Sequence, residues 1–209
     1  MHLILAGATG LVGTHVLRLA LADARVTTVT ALARKPLPPH PKLLAPGVDF
    51  DALPQDAAWW RADAVICALG TTMKVAGSQA AFRRVDFDYP LAVARLAHAA
   101  GTPAYVLNSA TGANAASRFF YNRVKGELEA ALATLGFASL THVRPGLIGG
   151  ERATVRAGEA ALAFVLTALA PVLPARWRIN PARRIAQALL EAAIAARPGV
   201  QVIASAQLS

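Results

Sequence analysis

Cysteine is almost absent from this sequence of 209 residues, in which Cys67 is the only thiol. A single cysteine excludes an intramolecular disulfide and suits a reducing compartment. Cys67 lies within the apolar run 63–70 and is expected to be a buried structural thiol. The five histidines share no spacing typical of metal ligands. We therefore expect neither a disulfide framework nor a metal site.

The sequence also lacks an apolar run long enough to cross a membrane. Its longest candidate, residues 159–174, begins at Glu159 and contains Pro171, and it falls short of the roughly 18 to 20 residues that a span requires. The first residues, MHLILAG, are too short for the apolar region of a signal peptide. We expect a cytoplasmic protein with no transmembrane segment, with a peripheral membrane contact through 159–174 as the alternative.

Acidic side chains are scarce: 12 Asp and Glu stand against 21 Lys and Arg, which gives a net charge of +9. A basic surface is compatible with nucleic acid, an anionic membrane or a phosphorylated ligand, and the charge alone does not choose among them. Hydrophobic residues make up 55% of the chain, enough for a sizeable buried core. The length favours one domain.

Short apolar runs alternate with segments of helical periodicity. Strands are predicted over residues 2–6, 25–33, 47–50, 63–70, 104–110, 139–146 and 200–205, and helices over 11–21, 84–100, 118–135, 157–170 and 181–196. This alternation predicts an α/β protein with a doubly wound parallel sheet, the Rossmann fold, and helices on both faces. We expect one domain over residues 1–209, with 147–199 as a small, mostly helical lid on the substrate side.

Three glycines stand in the first predicted strand-to-helix turn, GATGLVG. Gly7 permits a sharp turn, Gly10 lets the backbone approach a pyrophosphate, and Gly13 allows the helix to pack closely on the strand. The N-terminus of the helix favours an anion. The turn therefore predicts dinucleotide binding, and the alternative is a tight turn without a ligand. The expected cofactor-binding residues here are Gly7, Thr9, Gly10, Leu11, Val12 and Gly13.

The end of the second predicted strand bears on which dinucleotide binds. NAD-binding proteins commonly place a carboxylate there to accept a hydrogen bond from the ribose 2′-OH. This chain instead has Arg34 and Lys35, which suit a 2′-phosphate. We expect NADP(H) to be favoured over NAD(H), and the alternative is a solvated basic loop.

Tyr121 and Lys125 lie four residues apart on a predicted helix and therefore on one face of it. A nearby ammonium stabilises a phenolate, so Lys125 is expected to lower the pKa of Tyr121 and to help it act as an acid or base. Ser109 ends the fifth predicted strand, where substrate would lie. Taken alone, this spacing favours an ordinary surface pair, and the glycine turn and Ser109 shift the interpretation towards a catalytic pair.

These residues resemble those of the short-chain dehydrogenases/reductases, in particular the atypical type with the spacing G-x-x-G-x-x-G. Further stretches are similar to the Tat-interacting-protein oxidoreductase subgroup. They are CALGTT at 67–72, VDFDY at 85–89, YNRVKGELE at 121–129 and VRPGLIGGER at 143–152. The resemblance covers roughly residues 2–155.

The resemblance implies a catalytic role for three residues. Tyr121 would be the acid/base, Lys125 would bind the nicotinamide ribose and lower the pKa of Tyr121, and Ser109 would polarise the substrate carbonyl. It also implies cofactor contacts from Asp49 and Phe50 to adenine, from the loop after the fourth strand along the cofactor, and from the loop after the sixth strand near the nicotinamide. The residues of those two loops are Leu69, Gly70, Thr71, Pro145 and Gly146.

The segment 174–184 is basic and surrounds Trp177. It is typical either of an anion or nucleic-acid contact, with the ring free to stack, or of a basic loop that leads into a helix. We favour the loop. The apolar helix predicted at 157–170 suits either a hydrophobic substrate or the face of a homodimer.

The sequence thus predicts an NADP(H)-dependent oxidoreductase that transfers hydride to a small carbonyl substrate. One alternative is a non-catalytic NADPH-binding module with a regulatory or chaperone-like role. Another is a sugar-nucleotide epimerase or dehydratase, which uses a similar site. Nucleic-acid binding as the main role is the least favoured, because only the charge supports it.

Overall fold

A computed structural model of the chain describes residues 1–149 and 179–208. Its main element is a sheet of seven strands, all parallel, in the order β3-β2-β1-β4-β5-β6-β9. The strands are β1 (His2–Ala6), β2 (Thr28–Leu32), β3 (Leu43–Leu44), β4 (Ala64–Cys67), β5 (Ala104–Asn108), β6 (Ser139–Arg144) and β9 (Gly199–Ala204). Two short strands, β7 (Leu147–Gly149) and β8 (Ile179–Pro181), pair separately in parallel.

The central strands are apolar throughout because both of their faces are covered. All four residues of β4 are buried, and so are the last four of β1. Continuous burial of this kind is typical of a parallel sheet between two helical layers.

Helices connect the strands. They are α1 (Leu11–Ala22), α2 (Met73–Ala76), α3 (Gln79–Arg83), α4 (Tyr89–Ala99), α5 (Phe120–Ala133) and α6 (Ala182–Ala195). A π-helical segment, Arg84–Asp88, joins α3 to α4. Short 3₁₀ turns occupy Ala58–Trp60 and Ser205–Gln207. Within the described residues, no helix combines the length and the apolar character needed to cross a membrane.

The sheet separates two hydrophobic cores. On one face, α1 and α6 bury Val16 and Leu189 against Leu3 and Leu5. On the other face, the helices α4 and α5 and the adjoining loops pack against Ile4 and Ala6, which alternate with Leu3 and Leu5 along β1. Helices therefore cover both faces, and the predicted doubly wound α/β fold is confirmed.

The third strand lies earlier in the chain than the sequence predicts. The strand expected at 47–50 is instead a loop, in which Gly47 makes only an isolated bridge to Ala33. β3 pairs with β2 through Leu43 and Leu44. Val48 and Phe50 are buried on either side of exposed Asp49. This alternation is typical of a strand and explains the prediction, although the segment does not pair as one.

The helix expected at 181–196 is α6. It packs beside α1 on one face of the sheet, where Ile185 and Leu189 are fully buried. The helix predicted at 157–170 and residues 174–178 of the basic segment lie outside the described residues. The assignment of one domain over 1–209 with a lid over 147–199 stays a prediction.

Candidate functional site

A cleft of about 610 Å³ opens where β1, β4 and β5 end. Because the strands are parallel, their carboxyl ends and the loops that follow them meet at this edge, as expected for ligand sites in such sheets. The cleft brings together many of the residues predicted from the sequence. They are Thr9, Gly10, Leu11, Val12, Leu69, Gly70, Thr71, Ser109, Tyr121 and Lys125.

Two glycines of the first turn are required by the protein's own packing. Gly7 has φ +92°, and a Cβ there would lie 2.6 Å from the carbonyl carbon of Ala68. A Cβ on Gly13 would lie 1.9 Å from the carbonyl oxygen of Gly7. The turn therefore tolerates no side chain at either position.

Gly10 differs from its two neighbours in the motif. A Cβ built there would come no closer than 3.4 Å to another atom, the carbonyl oxygen of Gly7. Packing within the chain thus leaves room for a side chain at Gly10, and this residue lines the cleft. A bare backbone at this point fits the close approach of a ligand.

The N-terminus of α1 faces the same cleft. Gly10 is its N-cap and has no side chain to accept from the first N–H groups, which have no partner within a helix. The Thr14 hydroxyl donates to the carbonyl oxygens of Ala8 and Gly10 and steadies the turn. These N–H groups and the helix dipole are suited to a pyrophosphate.

Lys125 is buried in an ion pair with Asp86, with 2.8 Å between Nζ and Oδ1. The other carboxylate oxygen of Asp86 accepts the backbone N–H of Thr71 at 2.7 Å. Burial is the largest single influence and lowers the pKa of Lys125, but the charge of Asp86, the Tyr121 phenol and the hydrogen bond to Asp86 together raise the pKa above its ordinary value. Lys125 is therefore a fixed ammonium.

Tyr121 lies at the mouth of the cleft with 41% of its surface exposed. Its ring packs edge-on against Phe82, with 5.8 Å between centroids. The pKa of Tyr121 is raised: desolvation of the phenolate raises it most, Lys125 opposes this, and Asp86 adds to the rise. This differs from the expected lowering because desolvation outweighs the charge of Lys125, which Asp86 also partly offsets.

Ser109 donates its hydroxyl to Glu129 on α5, with 2.5 Å between Oγ and Oε1. Glu129 is buried and also accepts two hydrogen bonds from the guanidinium of Arg144. The Ser109 backbone N–H donates to Val143 on β6. These contacts join β5, α5 and β6 beneath the cleft.

Asn108 precedes Ser109 and also lines the cleft. Its Oδ1 atom is buried, and no donor reaches it within the described part of the chain. A buried acceptor without a partner is uncommon, and this one fits a hydroxyl or amide donor of a bound molecule.

Besides Gly7 and Gly13 of the first turn, four further predicted cofactor residues lie outside the lining of the cleft. Arg34 and Lys35 are exposed just after β2. Asp49 is exposed and accepts the backbone N–H of Asp51 at 2.9 Å. Phe50 is buried against Tyr89, with 5.4 Å between ring centroids, so its ring belongs to the core.

Pro145 and Gly146 are also outside the lining of the cleft. The carbonyl oxygen of Pro145 accepts the N–H of Thr111 at 2.8 Å. The N–H of Gly146 donates to Asn180 Oδ1 at 2.7 Å. Both residues therefore hold the loop after β6 in place.

Sequence reasoning missed several residues of the cleft. They are Thr14, His15, Ala68, Thr72, Val75, Asp86, Asn108 and Ile148. It also missed Glu129, although Tyr121, Lys125 and Glu129 follow one another at intervals of four residues on α5. That spacing could have identified Glu129. Asp86 is far from Lys125 in the chain, and no local pattern pairs them.

Comparisons with solved structures support the fold. MoeE5 in complex with UDP-glucose and NAD superposes with a TM-score of 0.74 at 16% identity, over 98% of this chain and 75% of that one. Human epimerase family protein SDR39U1 with NADPH gives 0.63 at 20% identity, over 98% and 73%. At such identities the likeness shows the fold alone.

The fold and the glycine turn define the class, an NAD(P)-binding Rossmann protein of the short-chain dehydrogenase/reductase type. Protein fmp52, mitochondrial, of Emericella nidulans is 36% identical over 181 residues, 82% of this chain and 77% of the relative. Protein HTATIP2 of Rattus norvegicus is 37% identical over 158 residues, 73% and 65%. No family model matches the sequence. The chain belongs to the atypical short-chain dehydrogenase/reductase family that includes FMP52 and HTATIP2, which confirms the resemblance.

The prediction of a cytoplasmic protein is wrong. Fungal relatives from Emericella nidulans, Aspergillus fumigatus and Coccidioides immitis are named as mitochondrial proteins. The prediction rested on the single cysteine and on the absence of recognisable targeting or membrane segments. A single cysteine and the absence of a long apolar run do not distinguish the cytoplasm from mitochondria.

Proposed function

We propose that this protein is an NADP(H)-dependent oxidoreductase that transfers hydride to a small carbonyl substrate, with Tyr121 as the acid/base. One observation carries the proposal: the glycine turn, Ser109, Tyr121 and Lys125 all open onto one cleft. A dinucleotide on the turn and a substrate beside Tyr121 would share that space.

The residues present fit a nicotinamide dinucleotide. The N–H groups at the start of α1 would hold the pyrophosphate, and Gly10 would let it approach the backbone. Lys125 would bind the nicotinamide ribose. Arg34 and Lys35, at the end of β2, support a 2′-phosphate and therefore NADP(H). When bound, the reduced cofactor supplies the hydride.

The remaining chemistry belongs to the side chains. A raised pKa keeps the Tyr121 hydroxyl protonated at neutral pH, as a proton donor to a carbonyl oxygen requires. Lys125 stays charged beside Asp86 and limits the rise in the pKa of Tyr121. Ser109 would orient the substrate oxygen once its hydroxyl turns from Glu129 towards the cleft.

The test begins with fluorescence titrations of the purified protein with NADPH and with NADH. Reduction of a panel of aldehydes, ketones and quinones is then followed by loss of NADPH absorbance. Tyr121→Phe should keep NADPH affinity and lose turnover. Tyr89→Phe, which removes a hydroxyl bonded to Asp51 outside the cleft, should keep both. Absence of binding to either nucleotide would contradict the proposal.

A non-catalytic NADPH-binding module is the second candidate. The observation that favours it is the hydrogen bond from Ser109 to Glu129, which engages the proton that a carbonyl-polarising serine would donate. Binding of NADPH without turnover on the whole panel would support this candidate.

A further inference from the structure

Apolar side chains are exposed in the lining of the cleft and next to it in the chain. Val75 on α2 is 77% exposed and Ile148 on β7 is 41% exposed, and both line the cleft. Their neighbours Met73 and Leu147 are 41% and 47% exposed. Single exposed apolar residues are ordinary, but a group around a binding cleft marks a surface that a ligand covers.

The charges of the cleft also favour an uncharged ligand. Among its described lining residues, the carboxylate of Asp86 and the ammonium of Lys125 neutralise each other. The other titratable side chains there are Tyr121, whose raised pKa keeps it neutral, and His15, which lies on α1. The described lining contains one lysine and no arginine, so an anionic substrate group beside Tyr121 would find no unpaired lysine or arginine among these residues. Burial of an unpaired charge is costly, so this surface disfavours phosphorylated and carboxylated substrates.

The apolar group lies on different elements from the dinucleotide cradle. The turn at Gly10 and the N-terminus of α1 form that cradle, whereas Val75 and Ile148 come from the segments after β4 and after β6. A ligand that reaches Tyr121 from the side of Val75 and Ile148 would meet methyl groups before it meets the phenol.

We propose that the substrate is an uncharged carbonyl compound with an extended apolar chain, which lies against Val75 and Ile148 while its carbonyl faces Tyr121. This inference rests on the function proposed above. It names the substrate class that the same cleft selects.

The first experiment measures kcat/KM with NADPH for straight-chain aldehydes from propanal to decanal. Each methylene that reaches the apolar surface should raise kcat/KM by about fourfold, until the surface is covered. Val75→Thr replaces a methyl group by a hydroxyl of similar size, and Ile148→Thr replaces an ethyl group by a hydroxyl and also shortens the side chain. Each should lower kcat/KM several-fold for decanal and by much less for propanal.

Val200→Thr is the matched control. Val200 is 57% exposed on β9, at an edge of the sheet and outside the cleft lining, so its substitution should change no member of the series. An aldehyde of equal length with a terminal carboxylate should be a poorer substrate than its uncharged counterpart. A flat chain-length series, or preference for the carboxylated aldehyde, would overturn the inference.

A binding measurement separates this inference from the proposed reductase. Calorimetric titration of the NADP⁺-saturated protein with 1-octanol and with 1-butanol needs no turnover. Tighter binding of octanol that Val75→Thr weakens would support the apolar site, even if no aldehyde were reduced and the reductase proposal failed. Equal binding of the two alcohols, or binding unaffected by Val75→Thr and Ile148→Thr, would overturn it.

Discussion

The hydroxyl group of Ser109 donates a hydrogen bond to Glu129, with 2.5 Å between Oγ and Oε1. The carboxylate is held in turn by Arg144, so its direction is set by the packing of α5 on β6. Ser109 therefore presents lone pairs to the cleft. In this arrangement Ser109 can accept a hydrogen bond from a bound hydroxyl. To polarise a carbonyl, its own hydroxyl would first have to turn away from Glu129.

Ser109→Ala should lower the free energy of unfolding by about 1.5 to 3 kcal/mol, the range for a hydrogen bond to a charged group. It should also lower turnover while NADPH affinity stays unchanged. Urea denaturation and the NADPH titration measure the two effects. Ser139→Ala is a buried-serine control at the start of β6, away from the cleft. Stability and turnover that match the wild-type protein would contradict a role for this bond.

Asp86→Asn should lower the free energy of unfolding by about 3 to 5 kcal/mol, because it leaves the buried ammonium of Lys125 without its counter-charge. Asp88→Asn changes an exposed carboxylate on the same π-helical segment and should have little effect. Denaturant titration of both variants checks this. If the double variant Asp86→Asn/Lys125→Met were less stable than Asp86→Asn, the charge explanation would be wrong.

The glycine turn allows a matched pair of substitutions. Gly13→Ala places a Cβ on the carbonyl oxygen of Gly7 and should disrupt folding of the turn, seen as a large loss of thermal stability. Gly10→Ala fits the chain's own packing and should fold normally, yet bind NADPH at least tenfold more weakly, about 1.4 kcal/mol. Normal NADPH affinity in Gly10→Ala would show that no ligand approaches there.

Arg34→Ala should reduce the preference for NADPH over NADH by about tenfold, or 1.4 kcal/mol, because Arg34 is proposed to contact the 2′-phosphate. NADH affinity should not change. Arg197→Ala removes an exposed arginine just before β9 and controls for net charge. Parallel fluorescence titrations supply all of these values. An equal loss of affinity for both nucleotides in Arg34→Ala would point to a general charge effect.

The pH profile of carbonyl reduction tests the protonation state of Tyr121. Its pKa is raised above the ordinary value of 10.0, and reduction needs the protonated phenol. The rate should therefore be level through neutral pH and fall only above about pH 10. Rates are measured over the range in which circular dichroism shows the protein folded. A fall in the rate between pH 7 and pH 9, with the protein still folded, would contradict the raised pKa.

The sequence by itself determined the class of fold. The apolar runs of β1, β4 and β5 and the helical periods between them suffice for a parallel sheet with two helical layers, since burial on both faces leaves an unbroken apolar run. The glycine turn and the spacing of Tyr121 and Lys125 are also local patterns, and both were found. The position of β3 does not follow from a local pattern, because its two residues form a strand only by pairing with β2.

The electrostatics of the cleft depend on tertiary packing. Asp86 meets Lys125 because α5 packs against the π-helical segment, and Ser109 meets Glu129 because α5 also lies against the end of β5. A pKa depends on such distances and on burial, and neither is contained in the spacing of residues along the chain. The sequence therefore indicates which side chains are candidates for the chemistry, whereas the packing pairs Lys125 with Asp86 and raises the pKa of Tyr121.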